Sequence, residues 1–129
     1  MKCAPEQKDL PIFVLAKKKS TGTARLMAVI HISSPEQFYE VIQQGPVVID
    51  FFATWCGPCK MIAPLFEQLA AENRAIKFVK VDVDAFEDIC GQFSIRSMPT
   101  FIARKNGTEV QRFSGANADK LRALVNSLN

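Results

Sequence analysis

Cys56 and Cys59, in the string Trp55-Cys-Gly-Pro-Cys-Lys60, are the residues best equipped for chemistry. Two thiols separated by two residues can close a small disulfide ring, and this pair falls where a strand pattern ends and a helix pattern begins. The first thiol then sits at a helix N-terminus, where unpaired backbone N–H groups and the positive end of the helix dipole favour a thiolate. Cys56 is thereby a nucleophile at neutral pH. Cys59, one turn further in, is expected to be more buried and less ionised. The pair can divide a dithiol–disulfide exchange: Cys56 attacks a disulfide to form a mixed disulfide, and Cys59 resolves it by attacking Cys56. The other use of such a pair is half a zinc site. Zinc needs three or four ligands, the remaining candidates are Cys3, Cys90 and His31, and there is no second CxxC or CxxxH, so no metal site is expected.

The elements that must hold this pair can be read from patterning. Val47-Val-Ile-Asp-Phe-Phe52 is a continuous apolar run with one carboxylate, the profile of a central strand buried on both faces. Residues 58–73 repeat apolar side chains at helical spacing through Ile62, Leu65, Phe66 and Leu69, with Pro64 as an expected kink. Pro58 suits the first turn of that helix, where its missing N–H is harmless. Upstream, Met27–Ile32 is strand-like; Ser34-Pro-Glu-Gln37 then starts a helix, with Ser34 as N-cap and Gln37 placed for a capping box, and Gly45-Pro46 ends it. Downstream, Ile76–Val81 is strand-like and Ala85–Phe93 helical, carrying Cys90 as a small packed hydrophobe. Thr100–Ala103 and Val110–Phe113 flank Asn106-Gly107, a strong hairpin signal, and Asn117–Leu128 closes the chain as a helix. The order β-α-β-α-β-α-β-β-α predicts an α/β domain whose central mixed sheet is covered by helices on both faces.

The chain has 129 residues, enough for one domain with its own core. Apolar residues make up 48% and charged residues 22%, and no apolar run approaches the ~20 residues of a membrane span, so a membrane-embedded or wholly disordered chain is excluded. The net charge of +3 is unevenly placed. Residues 1–26 carry six basic and two acidic side chains, a net of +4, and residues 27–129 carry a net of −1. The basicity therefore belongs to an N-terminal extension, 1–26, ahead of a domain at 27–129, and gives no support to nucleic-acid binding. The extension holds an apolar run, Leu10–Ala16, followed by three lysines. A secretory signal fits poorly, because Glu6 and Asp9 crowd its start and the lysines stand where a cleavage site belongs. Three readings of 1–26 stay open: a mitochondrial transit segment, a docking arm that pairs two copies, and an inert leader.

Asp50-Phe-Phe-Ala-Thr-Trp-Cys-Gly-Pro-Cys-Lys60 resembles the thioredoxin active site. Met98-Pro99-Thr100 and Phe113-Ser-Gly-Ala-Asn117 are similar to eukaryotic thioredoxins at the corresponding places, and the likeness spans roughly residues 27–129. The resemblance implies the thioredoxin fold and a protein disulfide reductase with no bound cofactor. Its electrons would reside in Cys56 and Cys59, and its redox-active disulfide would be reduced by a flavin-containing, NADPH-dependent thioredoxin reductase. Asp50 matches an aspartate beneath the second cysteine that accepts and donates its proton; burial is expected to raise its pKa toward neutrality. Lys80 matches a lysine near that carboxylate, the alternative being a solvated strand edge. Pro99 matches a cis-proline facing the disulfide, and Met98 before it offers main-chain groups to an extended substrate segment. Trp55, Gly57 and Pro58 belong to the apolar platform for substrate, and Gly115, lacking a side chain, leaves room for a substrate backbone.

Two competitors are weighed against this reading. A disulfide-forming oxidant can use the same fold, but Gly57-Pro58 resembles the reductants more than the Pro-His or Gly-His pairs of oxidants. A non-catalytic binding module would not need Cys56, Cys59, Asp50 and Pro99 together. The expected partners are thioredoxin reductase and disulfide-containing proteins, with a monomer as the working unit and a dimer through the extension as the alternative. The expected compartment is the cytoplasm, or the mitochondrion if residues 1–26 are a transit peptide.

Overall fold

The computed structural model describes residues 28–129. Among them five strands and four helices alternate: β1 (Val29–His31), α1 (Pro35–Val41), β2 (Pro46–Phe52), α2 (Gly57–Glu72), β3 (Lys77–Asp82), α3 (Glu87–Gln92), β4 (Thr100–Lys105), β5 (Thr108–Ser114) and α4 (Ala118–Asn126). The element order matches the pattern read from sequence. The extension at 1–26 and Met27 lie outside the described residues.

The sheet order is β1-β3-β2-β4-β5, which puts β2 in the middle. β3 pairs in parallel with β1 and β2, and β4 pairs antiparallel with β2 and β5. The period of two along β2 sends its side chains to opposite faces. Val47, Ile49 and Phe51 enter one apolar layer with Phe38 of α1 and Ile89 of α3. Val48 enters the other, with Ile62 and Phe66 of α2 and Leu121 and Leu124 of α4. Both faces of the strand are dry, which is why the sequence there is almost unbroken in its apolarity.

Local chemistry sets the element ends. Ser34 caps α1 by accepting the Gln37 N–H at 3.1 Å, while Gln37 Oε1 reaches back to the Ser33 N–H at 2.6 Å, one residue earlier than a capping box requires. Helix α2 spans Gly57–Glu72 with Pro64 inside it. The β4–β5 turn has positive φ at both central residues, +52° for Asn106 and +85° for Gly107, as a two-residue hairpin turn matched to strand twist demands. Asn106 also exchanges hydrogen bonds with Gly45, donating its N–H to the Gly45 carbonyl and accepting the Gly45 N–H on Oδ1. The hairpin tip is thus tied to the segment that enters β2.

Candidate active site

The end of β2 and the start of α2 bring the two cysteines together. Cys56 is the N-cap of α2, and its Sγ accepts the Cys59 N–H at 3.2 Å, taking up one of the helix's unpartnered donors. Cys56 and Cys59 are joined as a disulfide with Cα atoms 5.3 Å apart, within the usual span of such a bond. Both residues are buried, at 5% and 4% exposure. The expected contrast in burial is therefore not seen, because Ala53, Phe52, Val83 and Met98 pack around the pair and cover Cys56 as well. What distinguishes the two sulfurs is their surroundings: Cys56 Sγ lies 3.7 Å from the Met98 carbonyl oxygen. Cys59 instead opens the buried stripe of α2 that continues through Ile62, Phe66 and Leu69 toward the sheet.

That stripe meets the sheet face carrying Val48 and, two residues on, Asp50. Asp50 is 1% exposed, and its Oδ1 has no hydrogen-bond partner. Burial pushes its pKa up to about 7, opposed by the charge of Lys80. Lys80 stands directly across the β2–β3 ladder from Asp50, and its Nζ rests 4.4 Å from the centre of the Phe52 ring. β3 lies between β1 and β2, so Lys80 is not on a solvated sheet edge; it is half-buried in an interior strand.

A second loop faces the disulfide. The Met98–Pro99 peptide bond is cis. Its position is set by three hydrogen bonds around it: Gly115 N–H donates to the Pro99 carbonyl at 2.8 Å, Thr100 Oγ1 donates to the Ser97 carbonyl at 2.6 Å, and the Thr100 and Ser114 hydroxyls meet at 3.0 Å. Gly115 has φ +102°, a conformation that penalises any side chain, and nothing lies within 4 Å of where a Cβ would be. A turn requirement and open space above the backbone coincide at this residue. Gly57 and Pro58 occupy the exposed first turn of α2, also with open space beside Gly57.

Trp55 is 66% exposed, so it stands at the surface and not in the core. Its indole N–H donates to Asp84 Oδ2 at 2.8 Å, a contact the sequence reading does not contain; Asp84 lies in the turn just beyond the strand pattern Ile76–Val81. The remaining candidates do not join the site. Cys90 packs in the opposite layer, its thiol raised in pKa by burial and by Asp82, Asp84 and Glu87; His31 is exposed on the edge strand β1; Cys3 lies outside the described residues. Among the described residues no group of three or more His, Cys, Asp or Glu side chains is arranged to hold a metal ion.

The thioredoxin family model matches residues 29–127. Thioredoxin-1 of Caenorhabditis elegans is 47% identical over 91 residues, covering 68% of this chain and 79% of that protein. The thioredoxin of Oryctolagus cuniculus is 46% identical over 103 residues, covering 78% of this chain and 98% of its own length. The oxidised mitochondrial thioredoxin 3 of Saccharomyces cerevisiae superposes with a TM-score of 0.74 at 35% identity, over 81% of this chain and 99% of that one. A buried disulfide at a strand–helix junction, on this sheet order and with this degree of identity, makes the chain a thiol–disulfide oxidoreductase of the thioredoxin family.

Proposed function

We propose that the protein reduces disulfides in other proteins and is itself recharged by an NADPH-dependent thioredoxin reductase, with Cys56 as nucleophile, Cys59 as resolving thiol and Asp50 as the resolving thiol's proton acceptor. The observation that carries this reading is the placement of Cys56 Sγ at the capped start of α2 and beside the Met98 carbonyl, with the Asp50 carboxyl buried under the same helix. In the reduced protein the Cys56 thiolate attacks one sulfur of a substrate disulfide. A Cys56–substrate S–S bond forms, the substrate S–S bond breaks, and one substrate thiolate departs. Cys59 then gives its proton to Asp50, and its thiolate attacks Cys56. The Cys56–Cys59 bond forms, the mixed disulfide breaks, and the second substrate sulfur leaves and takes up a proton. Two electrons have passed from the dithiol to the substrate.

A buried base with a pKa near neutrality suits this step, since it can both accept and return a proton around pH 7. Lys80 holds a charge near that carboxylate. Trp55, Gly57, Pro58, Met98, Pro99 and Gly115 form the substrate platform: an exposed indole, an open helix turn, and main-chain groups at Met98 with bare backbone at Gly115 for an extended segment. The domain is taken as 27–129, with 1–26 as an extension, and the active unit as one chain. The proposed compartment is the cytoplasm, where a reducing milieu keeps the dithiol and the free Cys90 reduced. N-terminal mass spectrometry of protein from its native source checks this: cleavage close to residue 26 would support mitochondrial import instead.

Insulin reduction with dithiothreitol as donor tests the chemistry. Cys56→Ser is expected to abolish the catalysed rate, and Cys59→Ser to accumulate the mixed disulfide. Turnover by Cys56→Ser equal to the unmodified protein would end the thiol mechanism.

A further inference from the structure

Four side chains form a square on the sheet face beneath α2. Asp50 and Phe52 are two apart on β2, and Lys80 and Asp82 stand across from them on β3. Lys80 is register partner to Asp50, yet its ammonium leans diagonally onto the Phe52 ring, 4.4 Å from the centroid. The ion pairs among the described residues are Glu109–Arg112 and Asp119–Arg122, so Lys80 and Asp50 do not form one. Asp50 Oδ1 meanwhile stays without a hydrogen-bond partner in a buried site.

We propose that Phe52 is a positioning residue for the proton step: by holding the Lys80 ammonium on its ring face, it keeps that cation from pairing with Asp50 and so preserves a carboxyl able to take the Cys59 proton. An aromatic face attracts a cation with about 0.5–2 kcal/mol, more as the pair loses water, and Phe52 is half-buried against the cysteine cluster. A direct ion pair would stabilise the carboxylate and weaken it as a base, since an opposite charge within about 4–6 Å lowers a carboxyl pKa by roughly 1–3 units. Other titratable groups on the elements packed around Asp50 are Lys77 and Asp82 on β3, His31 on β1, Lys60, Glu67 and Glu72 on α2, and Arg104 and Lys105 at the far end of β4; Lys80 is the one whose charge acts on Asp50. Asp82 is the only other carboxylate in the square, and its Oδ1 is already engaged by the Asp84 N–H at 2.9 Å. With the ring gone, the freed ammonium has its register partner Asp50 directly across the ladder, with one carboxyl oxygen unpartnered.

Phe52 acts here through Asp50, so its role rests on Asp50 being the proton acceptor, but its effect on the carboxyl can be read without catalysis. The test is the Asp50 titration midpoint in the oxidised full-length protein, followed by carboxyl carbon NMR. Phe52→Leu is expected to lower the midpoint by about one unit or more, and Phe52→Trp, which keeps an aromatic face, to restore it. Lys80→Met is expected to raise the midpoint and to abolish the effect of adding Phe52→Leu. Should Phe52→Leu fail to fold, Phe52→Met serves in its place. A midpoint that stays or rises in the Leu or Met variant overturns the proposal, as does a fall that persists in the Lys80→Met background, since packing alone would then explain it. If instead the midpoints move as stated while Asp50→Asn resolves mixed disulfides at the normal rate, the ring's hold on Lys80 stands and Asp50's role as base fails.

Discussion

Burial lifts the Asp50 pKa from its ordinary 3.8 to about 7, so the carboxyl exchanges its proton near neutrality. The folded protein therefore binds more protons than the unfolded chain between those two values. Stability from this group is fully present below pH 3.8 and is lost as pH rises through about 7. The loss at high pH is on the order of 4 kcal/mol, at 1.36 kcal/mol per pKa unit. Asp50→Asn removes it, so the variant should exceed the unmodified protein in urea stability at pH 8 by a few kcal/mol, with the gap closing toward pH 4. The same substitution should slow resolution of the mixed disulfide by at least about tenfold, the low end for a general base; stopped-flow kinetics with a fluorescent disulfide substrate reads it. Resolution by the unmodified protein should rise through pH 7 as Asp50 deprotonates. The two thiols were legible because a CxxC string at a strand–helix boundary has few uses. The Phe52–Lys80 contact was not, because residue identity says nothing about which way a lysine side chain leans.

Element by element, caps and turns translate sequence into position. Asn117 Oδ1 accepts the Lys120 N–H at 3.0 Å and so starts α4, whose Leu121, Leu124 and Val125 seal one face of the sheet. Asn117→Ala is expected to cost about 1 kcal/mol of stability, seen as a lower midpoint in guanidinium. Gly115→Ala meets no obstacle in space, so its cost should come from the positive φ alone, about 1–2 kcal/mol. A crystal structure of that variant should show the Gly115–Pro99 hydrogen bond kept, or lengthened by the backbone's move toward negative φ. Element types and order were readable from caps, periodicity and the Asn-Gly turn. Their ends were not: α3 is Glu87–Gln92 where the pattern suggested Ala85–Phe93, because Phe86, half-buried against the apolar layer, holds a non-helical backbone as its N-cap.

Across the whole molecule, two apolar layers clamp β2, and phenylalanine supplies much of each. On the α2–α4 side Phe66 packs edge-on to Phe78 and tilted to Phe101, which stacks with Phe113; on the other side Phe38, Phe51 and Phe93 form a second group. Phe66→Ala opens a cavity directly behind the helix that carries Cys59, and should destabilise by about 3–5 kcal/mol, measured by urea unfolding. A chain beginning at Met27 is expected to fold with unchanged thermal midpoint and insulin reduction, since every residue placed in the site lies beyond it; loss of either would assign residues 1–26 to the domain. Sequence by itself determined the chemistry and the order of elements, because a CxxC spacing, apolar periodicity and turn residues are properties of neighbours along the chain. Only the tertiary structure decided that Asp50 Oδ1 is left without a hydrogen-bond partner, that Lys80 is interior and leans on Phe52, that Trp55 is exposed and tied to Asp84, and that Gly115 holds Pro99. Each of those facts depends on strand order and register, which bring together residues distant along the chain, such as Phe52 and Lys80, Trp55 and Asp84, or Pro99 and Gly115, and distances of that kind are set by packing and not by local preference.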